Sequence, residues 1–319
     1  MKANKTRIVV ALLAAAMSLA AAAAAMAGTF IGTDAPERFV GTPLADTMDS
    51  KGGNDRVFGR GGDDNIDLGW GRDRAHGGRG ADTIAGGDGP DRIHGGADND
   101  TLDGQMGRDR LWGGPGEDTL LGHAGGDLLV GGPGNDSIQG DVPNAGDLIS
   151  RDRIFGGQGD DNLQGGDGPD LIVAGDGNDT SIGNAGRDRM FGGPGNDTQD
   201  GRFGNDRIFA NFGQDTSFGG EGDDDLWGMM RADVTPGPNG ELDTNGDALD
   251  GGPGNDRFHT RDGEVDHITC GDGFDVAQLD TVDVVNDPGS CERVVRREPR
   301  PRDGDEPNGQ REPKEPKDS

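Results

Sequence analysis

The chain has 319 residues, 63 of them Gly, with a formal net charge of −30 and only 30% hydrophobic and 4% aromatic content. So little apolar material excludes an ordinary globular core for this length, and so acidic a chain excludes nucleic acid as a partner, because phosphates would be repelled. Charge repulsion and chain entropy would leave such a composition disordered unless a regular pattern and a neutralising divalent cation oppose them.

Lys2, Lys5 and Arg7 form a basic start, Ile8 to Ala25 is an Ala-rich apolar run, and Ala25-Met26-Ala27 places small residues where a signal peptidase cuts. Residues 1–27 are therefore expected to be a signal peptide, leaving a secreted mature chain with no transmembrane segment; a retained anchor is the alternative. Residues 28–45 read as a degenerate first turn, with Glu37 where Asp is expected. From Asp46 an Asp then recurs every nine residues to Asp136, again from Asp152 to Asp224, and at Asp247 and Asp256. This array, residues 46–259, makes the repeat the fold. Insertions interrupt it near 140–149 and 228–241. Residues 260–296 read as a cap on the open end of the stack, with short strands at Val276 to Leu279 and Val282 to Val285. The two cysteines, Cys270 and Cys291, most simply pair with each other in an oxidising compartment. Residues 297–319, mostly Pro, Arg, Lys, Glu and Asp, read as a disordered tail.

Each unit divides into a turn and a strand. In Gly-Gly-x-Gly-x-Asp the glycines permit a tight turn that aims backbone carbonyls to one side, and the Asp adds a carboxylate. Carbonyl and carboxylate oxygens are the ligands a hard cation such as calcium prefers. The three residues that follow are too few for a lone strand but suffice in a parallel stack. Gly stands two before the Asp in eighteen of twenty-two units; the exceptions are Leu44, Asp98, Ser150 and Asn245. Leu44, Ser150 and Asn245, at the array start or directly after an insertion, mark the turns expected to coordinate least well.

The units Gly113-Gly114-Pro115-Gly116-Glu117-Asp118-Thr119-Leu120 and Gly131-Gly132-Pro133-Gly134-Asn135-Asp136-Ser137-Ile138 resemble the RTX (haemolysin-type calcium-binding) nonapeptide repeat. The resemblance covers roughly Gly41 to His259. It implies an all-β fold, a right-handed parallel β-roll with two nonapeptides per coil, and several Ca2+ ions held between turns eighteen residues apart, such as Asp64 with Asp82. The implied ligands are Asp55, Asp64, Asp73, Asp82, Asp91, Asp100, Asp109, Asp118, Asp127, Asp136, Asp161, Asp170, Asp179, Asp188, Asp197, Asp206, Asp215, Asp224 and Asp256.

The residues support the two-unit coil independently. Alternate units place Arg56, Arg74, Arg92 and Arg110, or Thr83, Thr101 and Thr119, directly after the Asp. The period is therefore eighteen, with an arginine sheet and a threonine sheet. Phase also settles Asp233: counting it as a repeat would move Arg257-Phe258 to the threonine sheet, so residues 228–241 are read as one loop. The next, apolar position faces inward, and on the threonine sheet it turns polar at Ser181, Gln199 and Ser217. That column is either tolerated drift, with or without a bound water, or the wall of a ligand groove. The position after it should face out. On the arginine sheet it carries His76, His94, Trp112, Phe155, Phe191, Phe209 and Trp227. Two readings stand: stacking and cation–π support for a thin fold, or an exposed interaction stripe, Trp112, Phe155, Phe191, Phe209 and Trp227, for a partner protein or cell-surface glycan. His76 and His94 stack eighteen apart, as a metal clip or as an ordinary pair. There is no His-Glu-x-x-His, Gly-x-Ser-x-Gly or Walker loop, so no enzymatic activity is expected. The expected function is calcium-coupled folding of a secreted module, with a calcium-dependent adhesin or surface-matrix protein as the alternative.

Overall fold

The computed structural model describes residues 26–141, 150–228 and 246–297. The expected signal peptide up to residue 25, most of both insertions with Asp233, and the expected disordered tail from residue 298 lie outside the described residues.

The chain winds into a parallel β-solenoid with a strand on each face of every coil. Among the described residues the threonine sheet has 14 strands, from Thr29–Ile31 to Val284–Val285, and the arginine sheet has 14, from Arg38–Val40 to Arg293–Arg296. No helix occurs among the described residues. Register follows the eighteen-residue period: Arg74 pairs with Arg92 and Arg92 with Arg110, while Thr83 pairs with Thr101 and Thr101 with Thr119. Strands as short as Thr83–Ala85 persist because each hydrogen-bonds to a coil above and a coil below. Both insertions leave the phase intact. Arg153 pairs with Leu128 across the first, and Arg257 pairs with Asp225 across the second, which confirms that Asp256 leads into the arginine sheet.

The central residue of each short strand points inward, giving a core one side chain thick per sheet. Val57, Ile93, Leu111, Ile154 and Ile208 meet Ile66, Ile84, Leu102, Leu120 and Leu163 in one buried cluster. The polar column is core and not a groove wall. Ser181, Gln199 and Ser217 are buried, and Gln199 reaches Ser217 Oγ at 3.1 Å. With its amide nitrogen toward the Phe209 carbonyl, 3.3 Å away, its oxygen accepts from the Gly192 N–H at 3.0 Å.

Two expectations are corrected. The stripe on the arginine sheet forms, but it is not an exposed surface: Trp112 is 8% exposed, Phe155 2%, and Phe191 and Phe209 0%. The rings stack on one another along the sheet. Phe191 and Phe209 lie 4.7 Å apart, Phe209 and Trp227 5.8 Å, and Trp227 and His259 3.8 Å. Arg153 and Arg189 sit over Phe155 and Phe191 at 5.6 and 5.4 Å, and Leu128, Leu171, Val130 and Val173 pack alongside. Ring faces buried against ring faces have little left for solvent, so the stacking reading holds. His94 likewise stacks on Trp112 at 4.4 Å and meets His76 edge-on at 6.0 Å, an aromatic arrangement and not a clip.

The second correction concerns the end of the repeats, which does not fall near His259. His267–Thr269, Val276–Leu279, Val284–Val285 and Arg293–Arg296 continue both sheets in parallel register. Leu226, Leu249, Phe258, Ile268, Ala277 and Leu279 form their own core cluster with Cys270 and Cys291. These two cysteines are joined in a disulfide, with Cα atoms 5.4 Å apart.

Candidate metal sites in the turns

Glycine shapes each turn in two ways. Gly78 and Gly80 take φ of +125° and +105°, where a side chain is strained. Gly77 has no such φ, but a Cβ there would collide with Asp82 Oδ2 and with the Gly95 carbonyl oxygen 2.7 Å away. A turn's own carboxylate and a carbonyl from the next coil thus border the same small space. The arrangement repeats at Gly59 with Asp64 and the Gly77 carbonyl, at Gly192 with Asp197 and the Ala210 carbonyl, and at Gly219 with Asp224 and the Gly251 carbonyl.

The structure gathers the sequence-predicted aspartates into two columns, one leading into each sheet. One runs Asp55, Asp73, Asp91, Asp109, Asp127, Asp170, Asp188, Asp206, Asp224 and Asp256. The other runs Asp64, Asp82, Asp100, Asp118, Asp136, Asp161, Asp179, Asp197 and Asp215. None is more than 3% exposed. Within a column one carboxylate oxygen builds the fold: Asp82 Oδ1 accepts the Asp64 N–H at 2.8 Å, and Asp100 Oδ1 accepts the Asp82 N–H at 2.8 Å. The ladder bridges the insertions, Asp152 accepting from Asp127 at 2.7 Å and Asp247 from Asp215 at 3.0 Å. The turns that meet are therefore eighteen residues apart in the uninterrupted array, and Asp82 faces Asp64 and Asp100.

The second oxygen is different. Oδ2 of Asp55, Asp64, Asp73, Asp82, Asp91, Asp100, Asp109, Asp118, Asp127, Asp161, Asp170, Asp179, Asp188, Asp206, Asp224 and Asp256 is buried with no hydrogen-bond partner. Orphaned carboxylate oxygens in such number oppose folding unless something neutralises them. Burial pushes the carboxyls up from the usual range, to about 6 for Asp64 and Asp73, about 8 for Asp91 and Asp206, and about 9 for Asp127 and Asp170. The backbone N–H one coil back opposes the shift, and neighbouring aspartates of the column add to it. An oxygen-only cradle of one carboxylate and backbone carbonyls suits a hard divalent cation, and the residues present fit calcium.

The Asp columns continue beyond the predicted set. Asp266 Oδ1 accepts from Asp247 at 2.8 Å, and Asp275 Oδ1 accepts from Asp256 at 2.8 Å. Gly271-Asp272-Gly273-Phe274-Asp275-Val276-Ala277 keeps the turn pattern and could have revealed Asp275. Ten residues separate Asp256 from Asp266, and that slip hid both. Glutamates stand at the two ends of one column: the Glu37 N–H donates to Asp55 Oδ1 at 2.7 Å, and Glu292 Oε2 accepts from Asp275 at 2.8 Å. Asp98, in place of a turn glycine, takes φ +79°.

A stack of two-strand coils whose turns present carboxylate and carbonyl oxygens to shared spaces is a solenoid of the cation-binding kind. The family model described as the RTX calcium-binding nonapeptide repeat (4 copies) matches residues 40–75, 76–111, 104–138, 155–190, 165–199, 191–226 and 243–276. The chain belongs to this calcium-binding repeat family. No curated protein resembles the chain closely enough to count as a match. No helix among the described residues is long and apolar enough to cross a membrane.

Proposed function

We propose that this is an exported module that folds as calcium enters its turns, with the aspartates of the two columns as ligands. The observation that carries the reading is the row of buried, partnerless Oδ2 atoms beside next-coil carbonyls. Without a cation, columns of like charge repel and each short strand lacks the neighbours that stabilise it. With calcium, one coil's carboxylate and the next coil's carbonyl share an ion, so each coil that forms templates the next. Extracellular calcium modules bind at roughly 10⁻⁴ to 10⁻³ M, so folding would await export. The Cys270–Cys291 disulfide accords with an oxidising compartment. Circular dichroism during a calcium titration tests the mechanism. A steep coil-to-β transition is expected; a spectrum already β-rich in chelator at pH 8 and unmoved by calcium would refute it. The role proposed is binding and structural, without catalysis.

The adhesin reading moves to the other end of the arginine sheet. There a groove of about 480 Å³ is lined by Arg56, Phe58, Arg74, His76, Arg92 and His94. Regularly spaced guanidinium groups on an otherwise acidic protein suit an anionic glycan. Calcium-dependent retention on an acidic polysaccharide, lost on Arg56→Ser/Arg74→Ser/Arg92→Ser, would support it. Equal retention of both proteins would end it.

A further inference from the structure

One turn departs from the rest. The segment before Asp266 reads Thr260-Arg261-Asp262-Gly263-Glu264-Val265, one residue longer than a nonapeptide turn and carrying two extra acids. Ligand oxygens of Asp262, Glu264 and Asp266 all lie within 4.8 Å of one another. A fourth carboxylate joins them from the preceding coil. A Cβ placed on Gly228 would meet Asp247 Oδ2 at 3.1 Å, Asp262 Oδ2 at 3.5 Å and Asp266 Oδ2 at 3.5 Å. In the regular array the same construction at Gly77 meets one carboxylate and one carbonyl. Asp266 is fully buried and its Oδ2 has no hydrogen-bond partner, while Oδ1 is already committed to the Asp247 N–H.

We propose that Asp247, Asp262, Glu264 and Asp266 form a carboxylate-rich calcium site that differs in ligand chemistry from the nonapeptide turns. Carboxylates crowded around the buried, partnerless Oδ2 of Asp266 require a cation to offset their repulsion. Calcium accepts several carboxylates in irregular geometry, and affinity rises with ligand charge. This site is therefore expected to bind at least about tenfold tighter than the turns and to fill first. Its position gives it a purpose. Gly228 and Asp247 flank the second insertion, and Asp262 and Asp266 belong to the next coil. An ion here fastens the far end of the insertion, at Asp247, to the coil beyond, beside the near end at Gly228, so that the loop-closure cost is met where the array is interrupted. The site rests on the reading that the aspartate columns take calcium, but its tight class is counted separately from the weaker turns, so either can fail without the other.

Terbium(III), a luminescent stand-in for calcium, tests this on the full disulfide-bonded chain, with Trp227, the residue before Gly228, as the local sensitiser. Emission excited through Trp should saturate at one equivalent of terbium and fall severalfold in Trp227→Phe. In calorimetry with calcium alone, Asp262→Asn/Glu264→Gln should lose the tight class and retain the weaker one, whereas Asp170→Asn should retain the tight class and only lower the count of the weaker one. An unchanged tight class in the double variant overturns the proposal. Should that variant fail to reach the β spectrum in saturating calcium, the terbium titration of the unaltered chain decides: emission rising only with the weak class, or indifferent to Trp227→Phe, is equally fatal. A complete absence of weak sites alongside one tight site would remove the array reading and leave this one standing.

Discussion

Gly77 has an ordinary backbone conformation, yet a methyl group there would occupy the space between Asp82 Oδ2 and the Gly95 carbonyl. Its requirement is set by a neighbouring coil and not by its own φ. Gly61 makes the contrast, since the nearest atoms to a Cβ there are at 3.6 and 3.9 Å and its φ is also ordinary. Gly77→Ala is expected to abolish binding at its turn, so that calorimetry at saturating calcium counts one ion fewer. At ten times the dissociation constant the lost stabilisation is about 1.4 kcal/mol. Gly61→Ala should bind the full complement and gain up to about 1 kcal/mol from a less flexible unfolded chain. Equal ion counts in both variants would show that the cradle is not the binding space.

At the scale of the strand, stability comes from stacking between coils more than from any strand alone. Phe191 shows how. It is fully buried, parallel to the Phe209 ring at 4.7 Å, with the Arg189 guanidinium at 5.4 Å from its centroid. Phe191→Ala should cost about 3–5 kcal/mol and lower the thermal midpoint in saturating calcium, while Phe218→Ala, at a position 40% exposed, should change stability by no more than about 0.5 kcal/mol. Matching midpoints would mean that the stripe is not part of the core. Much of this was legible in the sequence. The alternation of Arg110 and Thr119 gave two sheets and their register, and the phase of Arg257 placed a strand across an insertion. The burial of Phe191 was not legible, because a period of two residues tells which side of a sheet a ring lies on but not what covers it. The last coils were missed for a different reason. A one-residue slip before Asp266 breaks the nine-residue count, although pairing with Asp247 is restored one coil later. The same slip brings in Asp262 and Glu264, whose convergence with Asp247 depends on the fold and not on spacing.

Over the whole molecule, two columns of buried carboxylates run along the described solenoid of a chain whose formal net charge is −30. Their protonation links folding to pH as well as to calcium. In the fold without metal, burial holds these groups in the neutral form, with pKa raised from 3.8 to about 6 at Asp64, about 7 at Asp188 and about 9 at Asp170. A raised folded pKa means that folding takes up protons. The stability so gained is fully present below the unfolded value of 3.8 and is lost as pH rises through the window from about 6 to about 9. The chelated protein is therefore expected to show more β structure at pH 4 than at pH 8. Calcium reverses the dependence: it needs the ionised Oδ2, so protons compete with it and the calcium midpoint should climb as pH falls from 8 to 6. Circular dichroism in chelator at the two pH values, with a calcium titration at each of several intermediate ones, measures both arms. A chelated spectrum identical at pH 4 and pH 8, or a calcium midpoint indifferent to pH, would show that the orphaned oxygens are not where proton and metal meet. If both arms appear, a proton and a calcium ion are alternative ways of neutralising the same column. Only the metal also draws in the next coil's carbonyl, so acid should give a looser, less cooperative roll than calcium does, visible as a broader thermal transition.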